Sequence, residues 1–273
     1  MPGAVDIDPA VPAAEHARSR GWSALADTVL LITGMLIVWQ VATLIIGHEV
    51  LTSPLETARR LSAIMADPDF PAHAWETGRA FGTALIIALA GGLTIGVALG
   101  AHRLSGQVAA PILVALYSIP KITLYPVILL LFGLGISAKI AFGVIHGIIP
   151  VIIFTMNGVR NINGVYFRAA RAMRLSGMQT ASNIIVPAAL PEIVSGFRIG
   201  FSLTLLGTLI GEMFASQRGI GYMLVKAMET NDVATVMALA LFLIVLATAA
   251  SSVLLVIDRR LHQSVIAQSG DSQ

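Results

Sequence analysis

The 273-residue chain is 56% hydrophobic and only 12% charged, with a mean hydropathy of +0.83 and a formal net charge of +2. A soluble domain carries roughly 25% charged residues, so the composition excludes an ordinary water-soluble globule and implies a polytopic membrane protein. With no cysteine present, disulfides, thiolate metal centres and cysteine nucleophiles are excluded as well.

In chain order, residues 1–24 are polar and Pro/Ala-rich and lack a short apolar segment with a cleavage site. They are expected to form a disordered cytoplasmic tail and not a signal peptide. Apolar runs follow at 25–47, 79–101, 108–133, 137–155, 193–214 and 233–257. Each matches a hydrocarbon core of about 30 Å, and lipid-exposed backbone must satisfy its own hydrogen bonds, which requires helix. The expectation is an all-α membrane protein with six transmembrane helices over 25–261 and a second cytoplasmic tail at 262–273.

Between the first and second runs, "SPLE" places Ser53 at an N-cap, Pro54 at the first helical position and Glu56 three residues after the cap. A short surface helix is expected within 48–78, with Ala58, Leu61 and Met65 on one face, ending at Asp67–Pro68. The third run contains Pro111, Pro120 and Pro126 and is expected to be kinked or interrupted, as tolerated where a helix faces protein or an aqueous path. Small residues recur at helical spacing: Gly92, Gly96 and Gly100; Gly143 and Gly147; Gly196 and Gly200; Gly207 and Gly211. Such spacing lets helix backbones approach closely.

Orientation follows from Lys and Arg in the connections. With the N-terminus inside, the cytoplasmic pieces carry Arg18, Arg20, Arg103, Arg160, Arg168, Arg171, Arg174, Arg259 and Arg260. The opposite side holds Arg59, Arg60, Arg218 and Lys226 together with Glu49, Glu56, Asp67, Asp69, Glu76, Glu229 and Asp232. The bias places both termini and the 157–191 loop in the cytoplasm.

That loop has no Asp or Glu from Val151 to Pro191. Its breakers divide it into one helix from about Val165 to Arg174 and a second opening at "SGMQ". There Ser176 is the N-cap, Gln179 completes a capping box, and the helix is expected to close before Pro187. Met178, Ala181 and Ile185 are expected to share one face. A basic, amphipathic helix pair outside the membrane suits a docking surface; it equally suits an interfacial pair held by anionic lipid. The residues alone leave both open.

Ionisable groups at membrane depth are functional candidates. Lys121, in the proline-broken span, is a candidate for contact with an anionic solute or for capping carbonyls freed by the prolines. Lys139 and Glu212 are expected near the outer ends of their helices as a structural or gating pair. His146 is a candidate path residue or a hydrogen-bonded packing residue. Arg79 and Arg198, at helix starts, can snorkel. An intramembrane serine protease is not supported: Ser137 in "GISA" and His146 lie about 13 Å apart along one helix, too far for a base. "HEVLT" at 48–52 lacks the second His of a zinc motif. A secondary transporter, the main rival class, would need coupling carboxylates inside the bundle, where the runs offer only Glu212 apart from Asp27 at the very start of the first run.

The stretch "AARAMRLSGMQTASNIIVPAALPEIVSGFRIG" resembles the cytoplasmic signature loop of binding-protein-dependent ABC importer permeases, with Ala169, Ala170, Ile184 and Pro187 at matching positions. "SIPKITLYPVILLLFGLGISAKI" (118–140), "NGVRNI" (157–162), "GEMFASQRGIGYML" (211–224) and "IDRRL" (257–261) are similar to the nitrate/sulfonate/taurine branch. The resemblance implies a type I permease bundle and a loop (Arg168, Ala169, Ala170, Arg171, Arg174, Ser176, Gly177, Ile184, Pro187) that couples to separate ATPase subunits. It further implies a second copy of the permease, an extracytoplasmic solute-binding protein, surrounding membrane lipid, no nucleic acid, no cofactor of its own and a small anionic or zwitterionic solute. In agreement, the chain has no GxxxxGK(S/T) phosphate loop. It departs from the pattern at Arg168, where the family has Glu, and at Arg174, where the family has Gly. An arginine in a left-handed turn costs roughly 1 kcal/mol or more; Gly177 is the alternative seat for that turn.

Overall fold

A computed structural model describes residues 13–270, with side chains from 26 to 256 except at 215. The described residues contain helix and no strand. In order they are α1 (Ala13–Ile46), α2 (Pro54–Met65), α3 (Phe70–Ala101), α4 (Arg103–Ser118), a 3-10 turn (Lys121–Leu124), α5 (Tyr125–Phe132), α6 (Ile136–Arg160), α7 (Gly164–Ala172), α8 (Gly177–Thr180), a π turn (Ala181–Ile185), α9 (Val186–Ala215), α10 (Ile220–Glu229) and α11 (Val233–Gly270). The chain divides into two compact units, residues 1–59 and 60–273.

Among the described residues, five helices are long and apolar enough to cross a membrane, and the pair α4 and Lys121–Phe132, bent by 85°, counts as a sixth if taken as one span. The break has a local cause. Pro120 has no N–H and forces Ile119 out of the helical region, to φ −64° and ψ 131°. α1 begins at Ala13 and α11 continues to Gly270, so helix extends into both stretches expected as tails. The run from Ala13 contains strong helix formers and no proline before Pro54. Residues 1–12 and 271–273 lie outside the described residues.

In the first unit, Trp39 Nε1 donates to the Thr52 carbonyl at 3.0 Å, and the Thr52 and Thr57 hydroxyls lie 2.9 Å apart. These contacts fix the turn between α1 and α2. The expected cap is present: Ser53 Oγ accepts from the Glu56 N–H at 3.3 Å. The expected apolar face of α2 differs, however. Leu61 and Ile64 pack with Phe70, Ile220 and Leu239, while Met65 is exposed, because the helix rolls to place its 61/64 edge inward.

The core of the second unit is the packing of α3, α6 and α9. The glycine spacing explains the close approach. A Cβ on Gly92, Gly96 or Gly100 would fall 2.6 Å from side-chain carbons of Val151, Thr155 and Val159 respectively. Three glycines one turn apart on α3 thus receive three β-branched residues one turn apart on α6. The same device continues into α9, where Gly200 admits Val151 and Gly196 admits Phe154. With no hydrophobic preference for protein over lipid, such contacts supply the association energy through dispersion.

Candidate functional site

At the Arg160 end of α6, the chain turns at Asn161 and Asn163 caps α7, its Oδ1 accepting from the Val165 N–H at 3.0 Å. α7 closes with a Schellman motif: the Leu175 N–H donates to the Ala170 carbonyl and the Arg174 N–H to the Arg171 carbonyl, both at 3.1 Å. The residue that must be left-handed there is Arg174, at φ 52°. Gly177 does not take the turn, since its φ is not among the positive ones. The capping box of α8 is present, with Ser176 Oγ accepting from Gln179 N–H (3.3 Å) and Gln179 Oε1 accepting from Ser176 N–H (2.9 Å).

The second loop helix does not close before Pro187. It passes through the π turn into α9 as one continuous rod from Gly177 to Ala215. Pro187 lacks an N–H, and the π turn, in which the Val186 N–H reaches back to the Ala181 carbonyl, absorbs the lost bond. The extra residue in that turn also rotates Met178 away from Ile185: Met178 is 79% exposed and Ile185 is buried, so the two do not share a face.

The loop is tied down on one side and open on the other. Ala170 and Ile185 are buried, and Phe167 packs with Val159, Ile185 and Ala189. Arg168, Ala169, Arg171, Arg174, Ser176, Gly177 and Pro187 are exposed, and Ile184 is half-buried. The outward surface is therefore cationic, with Tyr166, Met173 and Met178 as exposed large apolar groups.

At the opposite end of α6, the segment joining α9 to α10 is held through four consecutive residues. Lys139 Nζ donates to the Arg218 carbonyl at 2.9 Å. The Gly219 N–H donates to His73 Nδ1 at 3.0 Å, the Ile220 N–H to Thr77 Oγ1 at 2.9 Å and the Gly221 N–H to Glu212 Oε2 at 2.9 Å. Thr77 Oγ1 also donates to Glu212 Oε2 at 2.9 Å. Gly219, at φ 125°, lies against the Glu212 carboxylate with no room for a Cβ. His73 must carry its proton on Nε2, because Nδ1 is the acceptor.

Lys139 and Glu212, expected as a pair, hold the same 218–221 segment but share no hydrogen bond or ion pair among the described residues. Lys139, with its side chain 2% exposed, donates to Glu76 Oε1 at 3.0 Å, and Arg79 holds the other Glu76 oxygen at 2.9 Å. α3 starts at Phe70, more than two turns earlier than the apolar run suggested, and these added turns deliver His73, Glu76 and Thr77 to the clamp. Sequence reasoning missed those three as a set; their i, i+3/i+4 spacing and the Gly219-x-Gly221 pair beside Glu212 were the available signals.

Lys121 lies at the break. Its Nζ donates to the Tyr117 carbonyl at 3.0 Å and sits 5.0 Å from the Tyr117 ring centre, so it satisfies a carbonyl at the broken end of α4. His146 is buried, and its Nδ1–H donates to the Phe142 carbonyl at 2.8 Å. Lys121, Lys139, His146 and Glu212 form no common hydrogen-bonded cluster among the described residues. Near the clamp, Asp232 caps α11, accepting from the Thr235 N–H (3.0 Å) and hydroxyl (2.6 Å) and from Arg60 Nη2 (2.8 Å). Burial pushes its carboxyl up, but the Thr235 bonds and the Arg60 guanidinium outweigh that and hold it below the usual carboxylate range.

Residues 70–263 match the model of the family described as "Binding-protein-dependent transport system inner membrane component". The chain belongs to this family. It is 30% identical over 226 residues to the taurine transport system permease protein of Escherichia coli, covering 78% of this chain and 82% of that one. Identity is 27% over 206 residues to the nitrate import permease protein of Synechococcus elongatus, covering 71% and 73%. It is 30% over 170 residues to a Bacillus subtilis protein named for aliphatic sulfonate transport, of which this chain spans 62%. Among solved structures, an inward-facing form of the MetNI methionine ABC transporter shares the fold, with a TM-score of 0.59 at 24% identity, over 68% of this chain and 93% of that one. The expected family, branch and all-α permease fold are borne out.

Proposed function

We propose that the chain is the membrane subunit of an ATP-driven importer for a small anionic or zwitterionic solute, working with a separate ATPase, a second permease copy and an extracytoplasmic binding protein. The observation that carries this reading is the continuity of α8, the π turn and α9. A force applied at the exposed arginines of 168–174 is transmitted along one rod, from Gly177 to Ala215, to the clamped segment at its far end. A lever of this kind serves a motor outside the membrane. A carrier driven by ions would instead need coupling carboxylates within the bundle; Glu212, buried, has Oε2 held by Thr77 and Gly221 while Oε1 has no hydrogen-bond partner among the described residues. The names of the relatives, for taurine, nitrate and sulfonates, support the anionic or zwitterionic class.

On this reading the 163–187 loop faces the cytoplasm and docks in a groove of the ATPase, the arginines meeting acids there. ATP binding closes the ATPase pair, the loops move as rigid bodies, and the path alternates between its two openings. The test is co-purification with the co-expressed ATPase. The unchanged chain is expected to retain it, and the double variant Arg168→Glu/Arg171→Glu to release it with the permease still in the membrane. Equal retention by both would contradict the proposal, as would proton-driven uptake by the permease alone.

A further inference from the structure

One of the four bonds that hold the 218–221 segment exists in only one protonation state of its partner. The Gly219 N–H donates to His73 Nδ1 at 3.0 Å, and a ring nitrogen accepts only while the imidazole is neutral. An imidazolium carries a hydrogen on both nitrogens, so neither a flip of the ring nor the other tautomer restores an acceptor. The other three bonds lack this property. Lys139 Nζ donates to the Arg218 carbonyl, Thr77 Oγ1 accepts from the Ile220 N–H and Glu212 Oε2 accepts from the Gly221 N–H; an amine can donate, and a carboxyl accept, in either state.

The surroundings of His73 offer its charged form no bonded counterion. The ring is half-buried and stacks on Tyr222 of α10, with centres 6.0 Å apart and planes 14° from parallel. Asp69, one turn earlier, favours a charge on the ring, while Arg218 of the segment and Lys226 of α10 oppose one. Asp67, Arg60 and Asp232 line a cavity of about 290 Å³ with it, and Arg60 and Asp232 are paired with each other at 2.8 Å. Glu76, one turn further along α3, is taken by Lys139 and Arg79, and Glu212 faces the segment through Gly221. Among the described residues no carboxylate lies within salt-bridge distance of the ring. Protonation therefore sets one N–H against another and supplies no bonded replacement.

The segment is also part of a wall. Ser216, Gln217 and Arg218 line a cavity of about 620 Å³ together with Glu76, Lys139 and Phe214, and Ser216 directly follows the Gly177–Ala215 rod. We propose that the 216–221 segment is a pH-released strap: neutral His73 holds it on α3, and protonation of the ring lets it lift, opening this wall and loosening the end of the rod. The release belongs to the chain itself and does not depend on what the chain transports. The hold is present above the titration of the ring, centred near about 6.5 for an ordinary histidine, and is lost as pH falls.

The experiment is hydrogen–deuterium exchange of the full chain in lipid nanodiscs, read on peptides covering 219–221 and corrected for the intrinsic rate. Between about pH 7.5 and pH 5, protection is expected to fall roughly tenfold in the unchanged chain, the linkage of one histidine that must be neutral. His73→Asn puts an amide oxygen near the place of Nδ1 and does not titrate in this range, so its protection is expected to stay level. Asp69→Lys alters an exposed side chain that makes no cap bond. It leaves the ring in place and is expected to move the onset of the loss to lower pH by about half a unit, which tests the strap even if His73→Asn misfolds. Protection that changes less than about twofold in the unchanged chain, or falls equally in His73→Asn, would overturn the inference. So would an onset that Asp69→Lys leaves where it was.

Discussion

Lys139 Nζ lies 3.0 Å from Glu76 Oε1, with the lysine side chain 2% exposed and the carboxylate 18% exposed. The pair joins α6 to the first turns of α3, and through the Arg218 carbonyl it also holds the segment before α10.

Removing one partner of such a pair leaves a buried charge without its counterion. Glu76→Met, which strands the Lys139 ammonium at 2% exposure, is expected to destabilise the protein by about 3 kcal/mol, read as a lower unfolding temperature in detergent. The double variant Lys139→Met/Glu76→Met removes both charges and is expected to recover part of the loss. A double variant less stable than the sum of the singles would contradict the pairing.

Arg174 supplies the left-handed residue of a Schellman motif, a position that glycine fills without steric cost. Arg174→Gly is therefore expected to stabilise the loop by roughly 1 kcal/mol. Limited proteolysis of the 163–187 loop should slow accordingly. Faster cleavage would show that the glycine's freedom in the unfolded chain outweighs the relief of strain.

Gly96 admits Thr155 so closely that a Cβ would fall 2.6 Å from the threonine Cβ and 3.0 Å from the Ile152 carbonyl oxygen. Gly96→Ala is expected to cost about 1–3 kcal/mol by overpacking, whereas Gly82→Ala, with nothing within 4 Å of its Cβ, should be neutral or stabilising. Comparing the two unfolding temperatures checks this, since both substitutions make the same chemical change in one helix.

Asp232 is held below its ordinary value of 3.8. A depressed carboxyl contributes stability that is present above the unfolded-state value and is lost as pH falls through the folded one. The wild-type protein is thus expected to lose stability below about pH 4 more steeply than Asp232→Asn, with thermal unfolding between pH 5 and 3 as the measurement. Parallel curves would show that the Asp232 cap contributes nothing.

Features encoded locally were legible in the sequence. The Ser53 and Ser176 caps and the breaker at Pro120 depend on a few neighbouring residues, and the glycines at every fourth position announce close packing whatever the partner. Features that depend on registry were not. Lys139 selects Glu76, 63 residues away, because α3 begins a few turns earlier than its apolar run. The polar residues of those turns looked like a loop until their partners were in place. Pro187 read as a stop, and the π turn ahead of it removed the reason to stop.

On the proposed function, the arginine-bearing loop is a cytoplasmic handle gripped by a separate ATPase. Because the chain has no cysteine, a single one introduced by Arg171→Cys is a unique reporter. In right-side-out vesicles carrying the complete importer, a membrane-impermeant thiol reagent is predicted to leave it unlabelled. In inverted vesicles the same reagent should label it once the ATPase is stripped away and be blocked while the ATPase is bound. Labelling from the outside, or labelling indifferent to the ATPase, would contradict the account.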